Sequence, residues 1–281
     1  MESRRFGPLE RDVPVIGLGT WQMELGDRDE AILTIRRAID RGMSHIDTGE
    51  IYGNGAVEDI VGEAIAGYRA ETFLATKVHP DHATYAGTLL ACEKSLRRLR
   101  TDRIDLYVLH WRGKQPLAET FRAFEALKKD GKILSWGVSN FDVNDLEHAI
   151  ELVGENAIAC NQVLYNLLER DAEHFLQLFC ERHSIAFVAY SPLGSGDFPQ
   201  PGTWKGDVLT GIAHRHGVSP HAVALRYLVR RRSSFAIPKT ASIGHVDALA
   251  RAGDFELTPE EIATIEETFP LAPPKSKLPY V

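Results

Sequence analysis

The chain has few cysteines, no long apolar run and no excess of positive charge. Its three cysteines, Cys92, Cys160 and Cys180, are scattered, and none has the spacing of a metal-ligand pair. Such thiols are typical of reduced cysteines in a cytosolic protein, and we expect all three to be buried structural residues. No apolar run reaches the roughly 18 residues of a membrane-spanning helix. Residues 1–12 also lack the apolar segment of a signal peptide.

The net charge of −7 argues against a general electrostatic attachment to nucleic acid or to an anionic membrane. A local basic pocket for a small anionic ligand remains compatible with this charge. We therefore expect a cytoplasmic monomer that acts on a small molecule, without nucleic-acid or membrane partners.

Short β-rich runs alternate with helical stretches along the chain. The runs cover residues 13–19, 44–47, 72–78, 104–110, 133–139, 158–163, 185–191 and 234–238. Alternation of this kind predicts a parallel sheet, and eight units in about 250 residues match a (β/α)8 TIM barrel. We predict an α/β fold with one such domain over residues 1–281. An N-terminal hairpin near 4–12, extra helices and a short proline-rich C-terminal tail complete the prediction.

The helices between and after these runs carry recognisable end signals. Asp142 is a plausible N-cap, Ser219 precedes an N1 proline, and Thr258 with Glu261 forms the pattern of a capping box. The predicted helices lie near residues 28–41, 54–67, 84–100, 117–130, 143–153, 171–183, 219–231, 243–252 and 258–269.

Four polar residues, Asp47, Tyr52, Lys77 and His110, lie at or just past the ends of three of the predicted strands. In a parallel barrel these strand ends meet at the C-terminal mouth, where barrel enzymes keep their chemistry. A tyrosine has a pKa of about 10 and is a poor acid near neutrality, but a neighbouring ammonium lowers that pKa. We expect Lys77 to supply the ammonium and Asp47 to anchor it. The four residues together predict a device that delivers a proton.

Seven motifs resemble those of the aldo-keto reductase superfamily in identity, order and strand position. They are HIDTGEIYGN, LATKV, VLHW, WGVSNF, NQV, AYSPLGSG and AIPKT. Their spacing most resembles that of compact bacterial members that reduce small aldehydes and dicarbonyls. The resemblance implies NAD(P)H-dependent reduction of small aldehydes, ketones or α-dicarbonyls to alcohols by hydride transfer. In this interpretation Tyr52 is the proton donor and His110 hydrogen-bonds and orients the substrate oxygen.

The resemblance also implies a cofactor site at the barrel mouth. The third glycine of the usual dinucleotide fingerprint is replaced by Gln22, which favours a barrel-type site over a doubly wound one. Residues 191–196, SPLGSG, are suited to offering backbone N–H groups to a pyrophosphate. The cofactor-binding residues implied by the resemblance are Gly19, Thr20, Trp21, Asp47, Ser139, Asn140, Gln162, Tyr190, Ser191, Leu193, Ser195, Ile237, Lys239, Thr240 and His245.

Lys239 and Thr240 correspond to the family's contacts to the adenosine 2′-phosphate. NADPH-binding members usually place an arginine six residues after this lysine and an asparagine four residues later. This chain has His245 and Leu249 there, which removes a permanent charge and an amide. The resemblance therefore implies NADPH as the cofactor, with NADH also possible.

The substrate site is expected to be small and open. Trp21 and Trp111 are its predicted walls beside Tyr52 and His110, although either tryptophan could serve in packing alone. The loop 111–116 is short, and longer versions of it build larger pockets in the family.

Two other function classes fit parts of the pattern. One is a catalytically silent nucleotide-binding barrel that regulates a protein partner. The other is a metal-dependent barrel hydrolase, which would require His and Asp ligands at strand ends. The nearest such pair is His45 and Asp47, and we expect His45 to point away from the side of Asp47. We predict no metal site. Three further histidines are expected at the solvated surface: His214, His216 and His221.

Overall fold

A barrel of eight parallel strands forms the centre of the protein, whose computed structural model describes residues 1–280. The strands within these residues are β1 (Ser3–Arg5), β2 (Asp12–Pro14), β3 (Leu18–Gly19), β4 (His45–Asp47), β5 (Phe73–Val78), β6 (Ile104–Leu109), β7 (Ile133–Ser139), β8 (Cys160–Leu164), β9 (Ala186–Tyr190) and β10 (Ser234–Ala236). From β3 to β10 each strand pairs in parallel with the next one along the chain. The predicted (β/α)8 architecture is confirmed.

The barrel closes between its first and last strands. Parallel bridges join Ile16 to Ala236 and Gly19 to Lys239. The Gly17 N–H donates to the Ala236 carbonyl at 2.8 Å, and the Gly19 N–H donates to Pro238 at 2.9 Å. We call this junction the seam.

The first predicted strand, residues 13–19, is wrong as a single element. Its beginning belongs to β2, which pairs antiparallel with β1 in the predicted N-terminal hairpin. The pairing includes Pro14 opposite Ser3, and the Val15 N–H still donates to the Glu2 carbonyl at 3.0 Å. Only Leu18 and Gly19 then form the barrel strand β3.

The hairpin covers the bottom of the barrel with Phe6. Its ring centroid lies 5.0 Å from that of Phe73 and 4.9 Å from that of Phe235. Phe6 is fully buried, so it fills the end of the barrel opposite the mouth.

His45 lies on the same inner face as Asp47, so the expectation that it points away is wrong. Side chains two residues apart in a strand share a face. The His45 ring packs edge-on to Phe6 and Phe73, one layer below Asp47 towards the hairpin. Burial lowers the pKa of His45 to about 4, and neither ring nitrogen has a hydrogen-bond partner within residues 1–280.

The predicted helix signals correspond to real helix ends. Asp142 accepts a hydrogen bond from the Asp145 N–H, Ser219 caps the next proline-initiated helix, and Thr258 forms the complete capping box with Glu261. The helices of the described chain are α1 (Arg28–Asp40), α2 (Ala56–Ala64), α3 (Tyr85–Arg98), α4 (Leu117–Lys129), α5 (Val143–Val153), α6 (Leu176–Arg182), α7 (Trp204–His216), α8 (Pro220–Leu228), α9 (Ile243–Ala250) and α10 (Pro259–Thr268).

Two helices are shorter than predicted because non-helical residues precede them. Gly53 and Asn54 have positive φ angles of 55° and 52°, so α2 begins at Ala56. Phe175, with φ −140°, separates α6 from a short 3₁₀ turn at Asp171–Glu173. Among residues 1–280, no helix combines the length and the apolar character that crossing a membrane requires.

The cysteines are buried, as predicted. Burial raises the pKa of the Cys92 and Cys180 thiols to about 12 and that of Cys160 further still. Because the thiolate is the reactive form, these side chains are inert packing residues.

Candidate active site

A cavity of about 500 Å³ opens at the C-terminal mouth of the barrel. Its size falls in the usual range for small-molecule and cofactor sites. The predicted residues that line it are Gly19, Thr20, Trp21, Asp47, Tyr52, His110, Trp111, Ser139, Asn140, Gln162, Tyr190, Ser191, Leu193, Ser195, Ile237 and Lys239. Lining residues outside the predicted set are Gln22, Ile51, Pro192, Gly196 and Pro238, which are sequence neighbours of predicted ones.

Lys77 lies beneath the cavity, where its side chain is fully buried. Its ammonium donates to the Asp47 carboxylate, to the Thr48 carbonyl at 2.7 Å and to the Tyr52 hydroxyl at 3.2 Å. These acceptors match the three donors of an ammonium, which makes its burial tolerable. The second oxygen of Asp47 accepts a hydrogen bond from the Gln162 amide at 2.8 Å. The amide predicted to contact the nicotinamide is thus also a support for Asp47.

Burial and the charge of a hydrogen-bonded partner shift the pKa of Lys77, and likewise that of Tyr52, in opposite directions. Burial lowers the pKa of Lys77, but Asp47 and Tyr52 together raise it above its ordinary value. Burial raises the pKa of Tyr52, and the Lys77 ammonium offsets this only in part. The expected net lowering of the Tyr52 pKa is therefore wrong for this structure. Tyr52 keeps its proton at neutral pH, and Lys77 is placed to stabilise the phenolate left when that proton departs.

His110 follows β6 and faces Tyr52, with the two rings edge to face at 5.7 Å between centroids. Burial lowers the pKa of His110 to about 2, so the ring is neutral at pH 7. Its Nδ1 is buried and has no hydrogen-bond partner among the residues described. This favours the tautomer with its proton on Nε2, because a buried N–H without an acceptor is costly. A neutral His110 can donate one hydrogen bond to a carbonyl oxygen in the cavity.

Asn140 organises the part of the cavity wall that adjoins His110. Its amide nitrogen donates to the His110 carbonyl at 3.3 Å and to the Ser139 hydroxyl at 3.2 Å. Its amide oxygen accepts from the Tyr190 hydroxyl at 2.9 Å. Ser139 in turn donates to the Gln162 carbonyl at 2.8 Å. The ends of β7, β8 and β9 are thus tied into one wall.

Positive φ angles recur around the mouth at residues other than glycine. Four of the eight such residues line the cavity: Gln22, Asn140, Ser191 and Ser195. Backbone in this region of φ/ψ space is uncommon and tends to cluster at functional sites. This signal independently marks the mouth as the site, and it cannot be read from the sequence.

Lys239 is the only lysine or arginine among the lining residues, and its side chain makes no ion pair or hydrogen bond with residues 1–280. Thr240 and His245, predicted beside it, lie outside the cavity lining. The Thr240 hydroxyl accepts from the Ser242 N–H at 3.1 Å, just before α9. Ser242 is the N-cap of α9, and its side chain makes no capping hydrogen bond.

The three histidines predicted at the surface differ in their surroundings. His216 is half-buried and hydrogen-bonds Glu261 at 2.8 Å, so it is not simply solvated. His221 stacks on Phe198 with ring centroids 4.0 Å apart. Within residues 1–280, no group of three or more His, Cys, Asp or Glu side chains is placed to hold a metal ion.

Comparison with known proteins relates the whole chain to one family. A profile described as the aldo/keto reductase family matches residues 15–269. Methylglyoxal reductase YeaE of Escherichia coli (strain K12) is 40% identical over 271 residues, covering 96% of this chain and 95% of that protein. Glyoxal reductase of Bacillus subtilis (strain 168) is 37% identical over 258 residues, covering 91% and 88%.

Solved structures show the same similarity. An aldo/keto reductase from Klebsiella pneumoniae in complex with NADP and acetate superimposes with a TM-score of 0.93 at 41% identity, covering 99% of both chains. A second structure, of an aldo-keto reductase from the same organism in complex with NADPH, also gives a TM-score of 0.93 at 41% identity. It covers 100% of this chain and 99% of that one.

Proposed function

This chain belongs to the aldo/keto reductase family, and from that premise we propose that it reduces small aldehydes and α-dicarbonyls with Tyr52 as proton donor. The protein is an NADPH-dependent oxidoreductase that reduces carbonyl compounds. The observation that carries the assignment of Tyr52 is the buried ammonium of Lys77, 3.2 Å from the tyrosine hydroxyl at the floor of the cavity.

The residues present fit a nicotinamide cofactor. The Asn140 wall offers fixed polar groups in the cavity that Tyr52 lines, and Lys239 offers a cation with an unpaired side chain on the lining of the same cavity. We propose that the wall holds the nicotinamide end and that Lys239 holds the adenosine 2′-phosphate. When bound, NADPH supplies a hydride to the carbonyl carbon.

The chain's own residues then manage the charge on the carbonyl oxygen. His110 donates a hydrogen bond to this oxygen and orients it. Tyr52 delivers its proton as alkoxide character develops, since an alkoxide is more basic than a phenolate. Lys77 stabilises the resulting phenolate, and Asp47 keeps Lys77 within reach of it.

The substrate end of the cavity predicts small, neutral, partly apolar substrates. Trp21, Ile51 and Trp111 line it. Among the lining residues, Lys239, which we assign to the cofactor, is the only cation that could pair with a substrate carboxylate. The names of the methylglyoxal and glyoxal reductases support the same class.

A panel of carbonyl compounds with NADPH tests this assignment. We expect NADPH consumption with small α-dicarbonyls and with simple or aromatic aldehydes, and little with steroid ketones. More efficient turnover of a steroid ketone than of every small aldehyde would contradict the proposed substrate class. NADPH binding without turnover of any carbonyl would instead favour the catalytically silent barrel.

The choice between NADPH and NADH should depend on Lys239. Lys239→Ala should weaken NADPH binding by about 10- to 150-fold, the range for a charge-assisted contact to phosphate. NADH, which lacks the 2′-phosphate, should bind the variant almost as before. His245→Arg should tighten NADPH binding, because it adds a permanent positive charge on α9, the helix that follows Lys239 in the chain. Fluorescence titration of both cofactors measures these effects.

Lys94→Ala is the control for this titration, because Lys94 is an exposed lysine on α3. It should leave both affinities unchanged. Equal losses of NADH and NADPH affinity in Lys239→Ala would show that Lys239 does not recognise the 2′-phosphate.

We also propose that residues 1–281 act as one domain and as a monomer in the cytoplasm, without nucleic-acid partners. The family match over residues 15–269, the three buried thiols and the net charge of −7 support this organisation. Light scattering on the purified protein measures the oligomeric state.

A further inference from the structure

Glu50 is a buried carboxylate that the catalytic scheme does not use. It lies after β4, and only 9% of its surface is exposed. One of its oxygens, Oε1, accepts hydrogen bonds from the His79 N–H at 2.6 Å and from the His82 ring at 2.9 Å. Both donors belong to the turn that follows β5, so this carboxylate joins the loops after two neighbouring strands.

The turn held by Glu50 supports the wall of the substrate site. The His79 ring packs edge-on against Trp111, with centroids 4.9 Å apart. Trp111 contacts His110 at 4.8 Å, and His110 faces Tyr52 at 5.7 Å. A continuous row of four rings therefore runs from the turn to the proposed proton donor.

The loop that contains Trp111 packs against the same turn, the one that follows β5. Gly113 packs so closely on Pro80 that a Cβ at position 113 would lie 2.5 Å from the Pro80 Cβ. The backbone of Glu50 contributes at the other end of the row, because its N–H donates to the Lys77 carbonyl at 3.3 Å and Tyr52 follows two residues later. Glu50 is thus connected to both ends of the row.

We propose that Glu50 is a positioning residue that sets the distance and orientation of His110 and Trp111 relative to Tyr52. This inference rests on the proposed function. Glu50 acts through its hydrogen bonds to the turn, so its effect on the substrate should be larger than its effect on the cofactor. Asn140 lies outside the row of rings and meets it only at the His110 backbone carbonyl, 3.3 Å from the Asn140 amide nitrogen.

The geometry distinguishes hydrogen bonding from charge. Both donors converge on a single oxygen, and the amide oxygen of glutamine can accept the same two bonds. Glu50→Gln should therefore preserve the position of the turn, whereas Glu50→Ala removes the acceptor and releases it.

The test compares steady-state reduction of a small aldehyde by Glu50→Ala and Glu50→Gln, together with NADPH affinity and thermal stability. We expect kcat/KM to fall by about 10- to 100-fold in Glu50→Ala, as for a misplaced reacting group. Glu50→Gln should recover most of this loss. NADPH affinity should change much less than kcat/KM in both variants, because the Asn140 wall meets the row only at the His110 backbone carbonyl.

His79→Ala tests the same inference independently if Glu50→Ala folds poorly. It removes the ring that supports Trp111 but leaves the backbone N–H bound to Glu50, so it should reproduce the loss of kcat/KM. His82→Ala, which removes only the more exposed donor, should have a smaller effect.

Two results would overturn the inference. The first is near-normal kcat/KM in folded Glu50→Ala and in His79→Ala. The second is a Glu50→Gln variant as impaired as Glu50→Ala, because the charge and not the geometry would then matter. A wild-type protein that reduces no carbonyl would refute the proposed function and this inference together, whereas active wild type with unimpaired variants would refute this inference alone.

Discussion

Tyr52→Phe should lower turnover of an unactivated aldehyde by at least about 10²-fold, the lower end of what a general acid contributes. The substitution removes the hydroxyl that lies 3.2 Å from the Lys77 ammonium and keeps the ring that faces His110. NADPH affinity should barely change, because the wall around Asn140 is left intact. Steady-state kinetics and a cofactor titration measure the two quantities separately.

Tyr85→Phe is the matched control. Tyr85 lies at the start of α3, where its ring contacts Arg122 rather than the cavity, so its hydroxyl should be dispensable for turnover. Near-normal turnover by Tyr52→Phe would refute the assignment of the proton donor.

Lys77→Met and Asp47→Asn should both impair reduction but move its pH profile in opposite directions. The Lys77 ammonium lowers the pKa of Tyr52, whereas the Asp47 carboxylate raises it. Removing Lys77 leaves burial unopposed, so the pKa of Tyr52 rises further and the alkaline loss of activity moves to higher pH. Removing the Asp47 charge lowers the pKa of Tyr52 and moves that loss to lower pH.

The loss of turnover should be larger in Lys77→Met. That variant lacks the cation that stabilises the phenolate and leaves Asp47 buried without its partner. Asp47→Asn retains the cation, which still donates to the Thr48 carbonyl. Rate measurements across pH on folded variants provide the test, and shifts in the same direction, or none, would refute the electrostatic account.

The barrel and its mouth were predictable because strand ends of a parallel barrel converge whatever the intervening helices contain. Asp47, Tyr52 and His110 line one cavity, with Lys77 beneath it, although they span more than sixty positions of the chain. The split of residues 13–19 was less accessible, since it depends on where the local hairpin pairing with residues 3–5 stops and the barrel pairing with β4 begins. The position of His45, by contrast, could have been read from strand periodicity alone.

The features missed at the site depend on burial and on side-chain direction. The net pKa of Tyr52 reflects how much water the fold removes, which a sequence does not state. Glu50 stands two residues before Tyr52 in a loop, where a glutamate is usually solvated. Its burial arises only because the turn after β5 closes over it with two donors.

The seam between the first and last barrel strands has a thermodynamic consequence. The first strand pairs through only Leu18 and Gly19, and two isolated bridges complete the ring. The residues proposed to hold the cofactor, Gly19 on one side and Lys239 on the other, are themselves partners in one of those bridges. Occupancy and barrel closure are then linked equilibria, in which a ligand present at a hundredfold excess over its dissociation constant adds about 2.7 kcal/mol to the closed state. The bound cofactor would therefore stabilise the barrel at the seam, where only two isolated bridges pair the first and last strands.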